Sequence, residues 1–332
     1  KAFRIYEFIE KNVSYSSVAF RQGAYVPQRA GKTLQTRLGD CKDLSTLFLS
    51  FARKAGLDAN LVLVSTRNNG MHNMVLPSMD FNHCIIRYND KGVYHYLELT
   101  DSQLPFNAIT NSLANAQILN VPYNYKPGEV IGLLHDDMRE RDAYVRNVKI
   151  KISDNDLQVS SILKSNGDLA RDLRSNYEHK TKEESKDALE KQLAGSFRNE
   201  VRLNNFDFKG LNTLRDTVEQ VLNFVVKNDV IEVGDLSMIK PVLLDVVATP
   251  GIFSEEKRVY PFEYPDYENA DSYKTVVEVE LPAGKTFQEL PSDVRIDYMH
   301  MKYALTYKKQ GDNKLTIERD FDTDRTRRLS AT

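Results

Sequence analysis

The sequence predicts an α+β domain followed by a mostly β, sandwich-like domain. Three observations carry that expectation: helical periodicity early in the chain, a tight-turn hairpin pattern after it, and dominant strand alternation from about Val145 onward. Residues 1–11 read as an amphipathic helix, because Phe3, Tyr6 and Ile9 recur at helical spacing. Neither an initiator Met, nor a signal peptide, nor a capping residue precedes that helix, so a fragment or processed form of a longer protein is expected. A second helix follows Gly39-Asp40: Leu44, Leu47, Phe48, Phe51 and Ala52 form one apolar stripe, and Gly56 ends it. Residues 81–88 then alternate as a strand, Asn89-Asp90-Lys91-Gly92 turns the chain, and 93–101 returns as the partner.

The turn-rich stretch 121–128 reads as a connector. Three regions are therefore expected: a first domain over 1–125, a connecting segment over 126–144 and a mostly β domain over 145–332, with β structure in two pieces around a helix at 181–197. Strands are expected at 148–152, 157–159, 275–281 and 303–308, the last pairing with 314–319 across Gln310-Gly311-Asp312-Asn313. The charge run 181–191 reads as a solvated helix face.

Composition narrows the function classes. Against 45 Lys+Arg stand 47 Asp+Glu, a formal net charge of −2, which argues against a nucleic-acid partner. No apolar stretch approaches the ~18 residues of a membrane span. The 2 cysteines cannot staple 332 residues, so the core rests on ordinary burial. Asp320-Phe321-Asp322-Thr323-Asp324 has the alternating carboxylates of a calcium loop but lacks the Gly and distal Glu, and reads as a solvated charged tail. Zinc spacing, a phosphate loop and a Gly-x-Ser-x-Gly elbow are all missing from the sequence.

The chemistry concentrates around Thr36-Arg37-Leu38-Gly39-Asp40-Cys41-Lys42-Asp43-Leu44-Ser45. Gly39-Asp40 supplies a turn and a cap, so Cys41 falls in the first helical turn. A thiol there faces the positive end of the helix dipole and free backbone N–H groups, which favour the nucleophilic thiolate and offer an oxyanion hole. A thiolate nucleophile needs an imidazole and a group that holds it. Of the 6 histidines, His83 on the outgoing strand fits best, and His95 shares its hairpin. If Tyr88 faces Val93, His83 faces Glu98; if Gly92 forms a bulge, Asp101 shares the histidine's face instead. Cys84 points to the other sheet face and reads as core, with a Cys41–Cys84 disulfide left open.

These residues, Gly-Asp-Cys-Lys-Asp on a helix, then Asn82-His83 on a strand, then Tyr96-Leu97-Glu98-Leu99-Thr100-Asp101, resemble the bacterial transglutaminase-like superfamily. Within that superfamily the chain resembles multi-domain envelope proteins in which this domain lies between β domains of unknown function. Tyr15, Pro27-Gln28-Arg29-Ala30 and Leu104-Pro105-Phe106 add to the likeness, as do Arg258-Val259-Tyr260-Pro261-Phe262, Leu281-Pro282-Ala283-Gly284 and Leu290-Pro291 in the second half.

The resemblance implies a papain-like Cys-His-Asp triad on an α+β core. Carried over, Cys41 is the nucleophile, His83 the general base and Glu98 the acid, with Asp101 in reserve; Glu98 departs from the usual Asp. Gln22 and Gln28 are the candidate oxyanion side chains. The expected reaction is attack on an amide or peptide bond through a thioester, resolved by water or by an amine, without a cofactor or metal. A protein or peptide substrate, such as a cell-wall peptide, and a periplasmic or otherwise extracytoplasmic location follow from the resemblance. The rival expectation is a non-catalytic envelope binding or assembly module that keeps the fold.

Overall fold

The computed structural model of the chain describes residues 1–17, 25–69, 80–123, 131–135, 139, 141–214, 217–247, 262–263, 270–298, 301–323 and 328–329. It divides into two compact units, Lys1–Glu140 and Arg141–Thr332.

The first unit runs α1 (Ala2–Asn12), β1 (Ser14–Tyr15), α2 (Ala30–Thr36), β2 (Leu38–Gly39), α3 (Cys41–Lys54), β3 (Ala59–Ser65), β4 (His83–Asp90), β5 (Val93–Leu97), β6 (Gln117–Val121) and β7 (Ile131–Leu133). The expected stripe forms α3: Leu44, Leu47, Phe48 and Ala52 are buried, each large side chain contributing about 1.5–3 kcal/mol of transfer free energy. Phe51, half-buried, meets Phe8 of α1 edge-on, and Gly56 takes a positive φ just past the helix end. Burial of Tyr6 and Ile9 holds α1 in place, with the Tyr6 hydroxyl donating to the Leu104 carbonyl. The antiparallel sheet is ordered β5-β4-β3-β6-β7. Part of the stretch expected as a connector, Ile131–Leu133, is its edge strand against β6, and 124–130 lie outside the described residues.

The hairpin differs from both expected registers. Lys91 and Gly92 take positive φ values of 54° and 95°, the signature of a two-residue turn whose twist matches the strands. Asn89 and Asp90 therefore stay in β4, Asp90 faces Val93, and Tyr88 faces His95 rather than Val93. The shift is two residues, not one, so face parity survives and Glu98 remains on the His83 side.

The second unit runs β8 (Ala143–Ser153), β9 (Asp156–Ser165), α4 (Gly167–Tyr177), α5 (Lys182–Ser196), β10 (Val201–Lys209), β11 (Val218–Val226), β12 (Val230–Val233), β13 (Leu236–Ile239), β14 (Phe262–Glu263), β15 (Ser272–Glu280), β16 (Val294–Tyr298), β17 (Met301–Lys309), β18 (Lys314–Thr323) and β19 (Arg328–Leu329). Eight strands form one sheet, β10-β11-β9-β8-β15-β18-β17-β16, antiparallel except where β15 lies parallel to β8. The mostly β expectation holds: beside the eight-stranded sheet lie the two-stranded sheets β12-β13 and β14-β19, and Val148, Val159, Leu222, Val277 and Ile317 bury with Leu189 and Leu193 of α5. Strict alternation explains the one-sidedness, since Lys149 and Lys151 point away from the core that Val148 and Ile150 enter. No helix among the described residues is long and apolar enough to cross a membrane.

Two readings of this half are corrected. A second helix, α4, precedes α5, so the half is interrupted twice; Asn166-Gly167 looks like a turn signal but opens a helix. The acidic run 320–323 is the end of β18, not a tail. Phe321 is buried on one face, while Asp320 and Asp322 on the other pair with Lys274 and Arg141 at 3.8 and 3.1 Å. Asp324 lies outside the described residues. By contrast, α5 starts at Thr181 with a capping box closed by Glu184, and its charged face is exposed.

Gly167 makes a local prediction. Its φ is +60°, and an added Cβ would collide with the Asp142 carboxylate, which accepts from the Asp168 N–H at 2.6 Å. Gly167→Ala combines left-handed strain with a displaced buried hydrogen bond and is expected to cost about 2–3 kcal/mol in urea unfolding. An unchanged midpoint would show that the α4 start is not held by this contact.

Candidate active site

The Gly39-Asp40 cap forms as the residues dictate. Asp40 accepts from the Lys42 and Asp43 N–H groups, both at 3.2 Å or less, and Asp43 returns a bond to the Asp40 N–H at 3.2 Å. Gly39 is required here, because a Cβ would lie 2.7 Å from that of Asp43. The box also narrows the oxyanion expectation. Lys42 and Asp43 N–H groups are occupied by Asp40, so the Cys41 N–H is the first-turn donor left without an acceptor among the described residues. Gln28 does not offer an oxyanion side chain. Its N–H and Nε2 donate to the two oxygens of Asp43, at 2.7 and 2.8 Å, bracing the head of α3. Gln22 lies outside the described residues.

His83 stands at the first position of β4, and its strand start is secured by Asn82, whose side chain bonds Thr66 twice at 2.8 and 2.9 Å. The His83 Nε2 lies 2.6 Å from Glu98 Oε2. The Cys41 side chain also acts on this ring, helping to raise its pKa, and Nδ1 is the ring nitrogen that does not face Glu98. Glu98, 4% exposed, lies one residue past β5. Its Oε1 accepts from the Leu99 N–H, the Thr100 N–H and the Thr100 hydroxyl, at 2.8, 2.8 and 2.7 Å. The Glu-x-Thr spacing thus curls the longer acid back on its own backbone and aims the second oxygen at the imidazole. Asp101, the reserve acid, instead accepts from the Gln103 N–H at 3.0 Å.

Electrostatics follow from this packing. Burial alone would lower the His83 pKa, but the Glu98 charge, the hydrogen bond the ring donates to Glu98 and the influence of the Cys41 side chain outweigh it and raise it to about 10. Burial likewise disfavours ionised Glu98, yet His83 and Thr100 hold its carboxyl below the usual range. The pair is therefore charged at neutral pH.

Cys84 and Cys41 are both free thiols. Cys84 is buried against Ser45 of α3, and burial, with the Cys41 charge, pushes its thiol up to about 12. His95 stacks on Tyr88 at 5.2 Å in the hairpin interior. Tyr15 of β1 pairs with Gly39 and so stands beside the head of α3; burial and the charges of Cys41, Asp40 and Glu98 raise its phenol. Glu10 is a feature that sequence reasoning does not single out. Burial, then the charges of Glu98 and Asp101, push its carboxyl up to about 9, and its Oε1 has no hydrogen-bond partner among the described residues. The available signal is its position four residues after Tyr6, at the flank of the buried stripe of α1.

A capped helix bearing the cysteine packs on an antiparallel sheet whose hairpin brings up the histidine and the acid. Residues 1–97 match the model of the Transglutaminase-like superfamily, and residues 235–328 match DUF3858, a domain of unknown function with a solved structure. The first match lies in the first unit and the second in the β-rich unit after it. Among solved structures, 99% of the chain aligns with a protein from Parabacteroides distasonis ATCC 8503 described as a "putative protease", at a TM-score of 0.51 and 11% identity. The chain spans 46% of that protein's length, and the likeness is one of fold. No curated protein matches the chain.

Proposed function

We propose that the first unit is a thiol-dependent acyl enzyme acting on amide or peptide bonds. The single observation that carries this is the 2.6 Å contact of His83 Nε2 with Glu98 Oε2, on a ring whose pKa the Cys41 side chain at the head of α3 also helps to raise. In this reading the Cys41 sulfur attacks the carbonyl carbon, and the Cys41 N–H stabilises the oxyanion. As the C–N bond breaks, His83 gives its proton to the departing amine, leaving a thioester. Water, or an amine, then attacks the thioester, returns a proton to His83 and breaks the C–S bond. The first acceptor makes the protein an amidase or peptidase, the second a transglutaminase. A protein or peptide substrate and an extracytoplasmic setting rest on the family resemblance alone.

Iodoacetamide tests the proposal without knowledge of the substrate. His83 is held protonated until about pH 10, so the sulfur faces a cation throughout the neutral range. Alkylation of Cys41 at pH 7 is expected to run at least ~10-fold faster in the native chain than in a His83→Ala variant. Cys84, buried and pushed up to about 12, is expected to stay unlabelled in the folded protein and serves as the internal control. Equal rates at Cys41 in the native chain and in His83→Ala would defeat the enzyme reading and favour a binding or assembly module.

A further inference from the structure

The buried face of the eight-stranded sheet carries a polar row remote in sequence from the catalytic cluster. Gln220 of β11 lies opposite Leu163 of β9, Leu163 opposite Arg146 of β8, Arg146 opposite Thr275 of β15, and Thr275 opposite Arg319 of β18. Asp245 serves both guanidiniums. Its Oδ2 and Oδ1 accept from Arg146 Nε and Nη2, each at 2.8 Å, and its carbonyl accepts from Arg319 Nη1 at 2.8 Å. Arg146 Nη1 also donates to Ser161, and Arg319 Nη2 to Thr275, at 3.0 and 2.9 Å.

Two buried cations thus share one anion, and a surplus positive charge remains. Three of Arg146's five N–H groups are used, leaving two. Arg319 Nε is buried with no acceptor among the described residues.

Beside this row lies a cavity of about 250 Å³, with Arg146 and Asp245 on its polar side and Leu163, Leu193 and Leu222 on its apolar side. Gln220 lines it too. That residue is 4% exposed, and its carboxamide has no hydrogen-bond partner among the described residues. A carboxamide without a protein partner and spare guanidinium donors on one cavity point to an occupant rich in acceptors. The leucines set the rest of its character, and the volume sets its size: room for roughly eight waters at ~30 Å³ each.

We propose that this cavity binds a small carboxylate with a short aliphatic tail, its oxygens accepting from Gln220 Nε2 and the spare N–H groups of Arg146, its tail lying against the leucines. A neutral ligand would leave the surplus charge uncompensated; a bare inorganic anion would leave the leucines wet.

Calorimetric titration of the full chain at pH 7 with hexanoate and with hexanamide tests this. Hexanoate is expected to bind saturably at one site, and hexanamide at least ~10-fold more weakly, because a charged acceptor makes the stronger hydrogen bonds. Gln220→Leu is expected to weaken hexanoate by about 10-fold with the circular dichroism spectrum of the unliganded protein unchanged. Leu173→Phe, which fills space from the α4 side, is expected to abolish binding with the circular dichroism spectrum unchanged, and it probes the same cavity should Gln220→Leu fail to fold. Absence of saturable hexanoate binding overturns the proposal, as does equal affinity for acid and amide, or full affinity in either folded variant.

Discussion

Glu98→Gln is expected to lower kcat/KM on a peptide amide by roughly 10³–10⁴ while leaving the fold intact. The geometry makes the amide the wrong isostere. Three donors converge on Oε1, from Leu99 and Thr100, and they require an oxygen there. The glutamine NH₂ is therefore forced into the position of Oε2, 2.6 Å from His83 Nε2, where the ring's own N–H has pointed. Two donors cannot share that contact. His83 must present a bare Nε2, carry its single proton on Nδ1 toward the sulfur, and lose the imidazolium form. Its pKa, held at about 10 chiefly against burial by the Glu98 charge, is expected to fall into the range where burial dominates. Imidazole titration by NMR reads that fall directly. Alkylation of Cys41 should slow with it, whereas Glu98→Asp, which keeps the charge, should retain the larger share of both. A Glu98→Gln variant with wild-type turnover would show that the acid does not orient the base.

Asp245→Ala is expected to cost the second unit about 3–5 kcal/mol in urea unfolding. The carboxylate is the counter-charge of two guanidiniums, Arg146 at 2.8 Å and Arg319 at 3.9 Å, and all three side chains are under a tenth exposed. Its removal leaves both cations buried with, among the described residues, Ser161 and Thr275 as their side-chain acceptors. Asp245→Asn should recover part of the hydrogen bonding but none of the charge, and so fall between. A loss under about 1 kcal/mol for Asp245→Ala would mean that the row is hydrated or already compensated from elsewhere. The two variants also separate charge from shape, since the asparagine keeps nearly the same volume.

Much of the candidate site is legible in the sequence because its determinants are local. Gly39, Asp40 and Asp43 specify a capped helix start within a few residues, and that alone puts Cys41 at the head of α3. Parity places Glu98 on the His83 side of the hairpin even though the turn differs from the expected one, because a slip of two residues restores the same face. The difference has a local cause as well: Lys91 adopts the left-handed conformation that a turn of two residues needs, a state lysine seldom takes. The calcium-like run at 320–323 misleads for the opposite reason, since alternating Asp on a strand's outer face looks the same in one dimension as an acidic loop. Helix α4 is hidden in the sequence because its entry, Asn166-Gly167, depends on Asp142, which lies well upstream in the chain and outside any window around the helix.

By itself, then, the sequence determined the helices that carry periodic stripes, the caps that begin them, the strand alternation and the order in which cysteine, histidine and acid occur. Only the tertiary structure decided which nitrogen of His83 meets Glu98, that Gln28 braces Asp43 instead of facing the sulfur, that Glu10 lies buried beside two other acids, and that Arg146, Asp245, Thr275 and Arg319 meet in one row. The division has one physical cause. Propensity, capping and pleat act over a few residues, whereas charge compensation and burial are settled among groups far apart along the chain, as in the parallel pairing of β8 with β15, which no short-range pattern encodes.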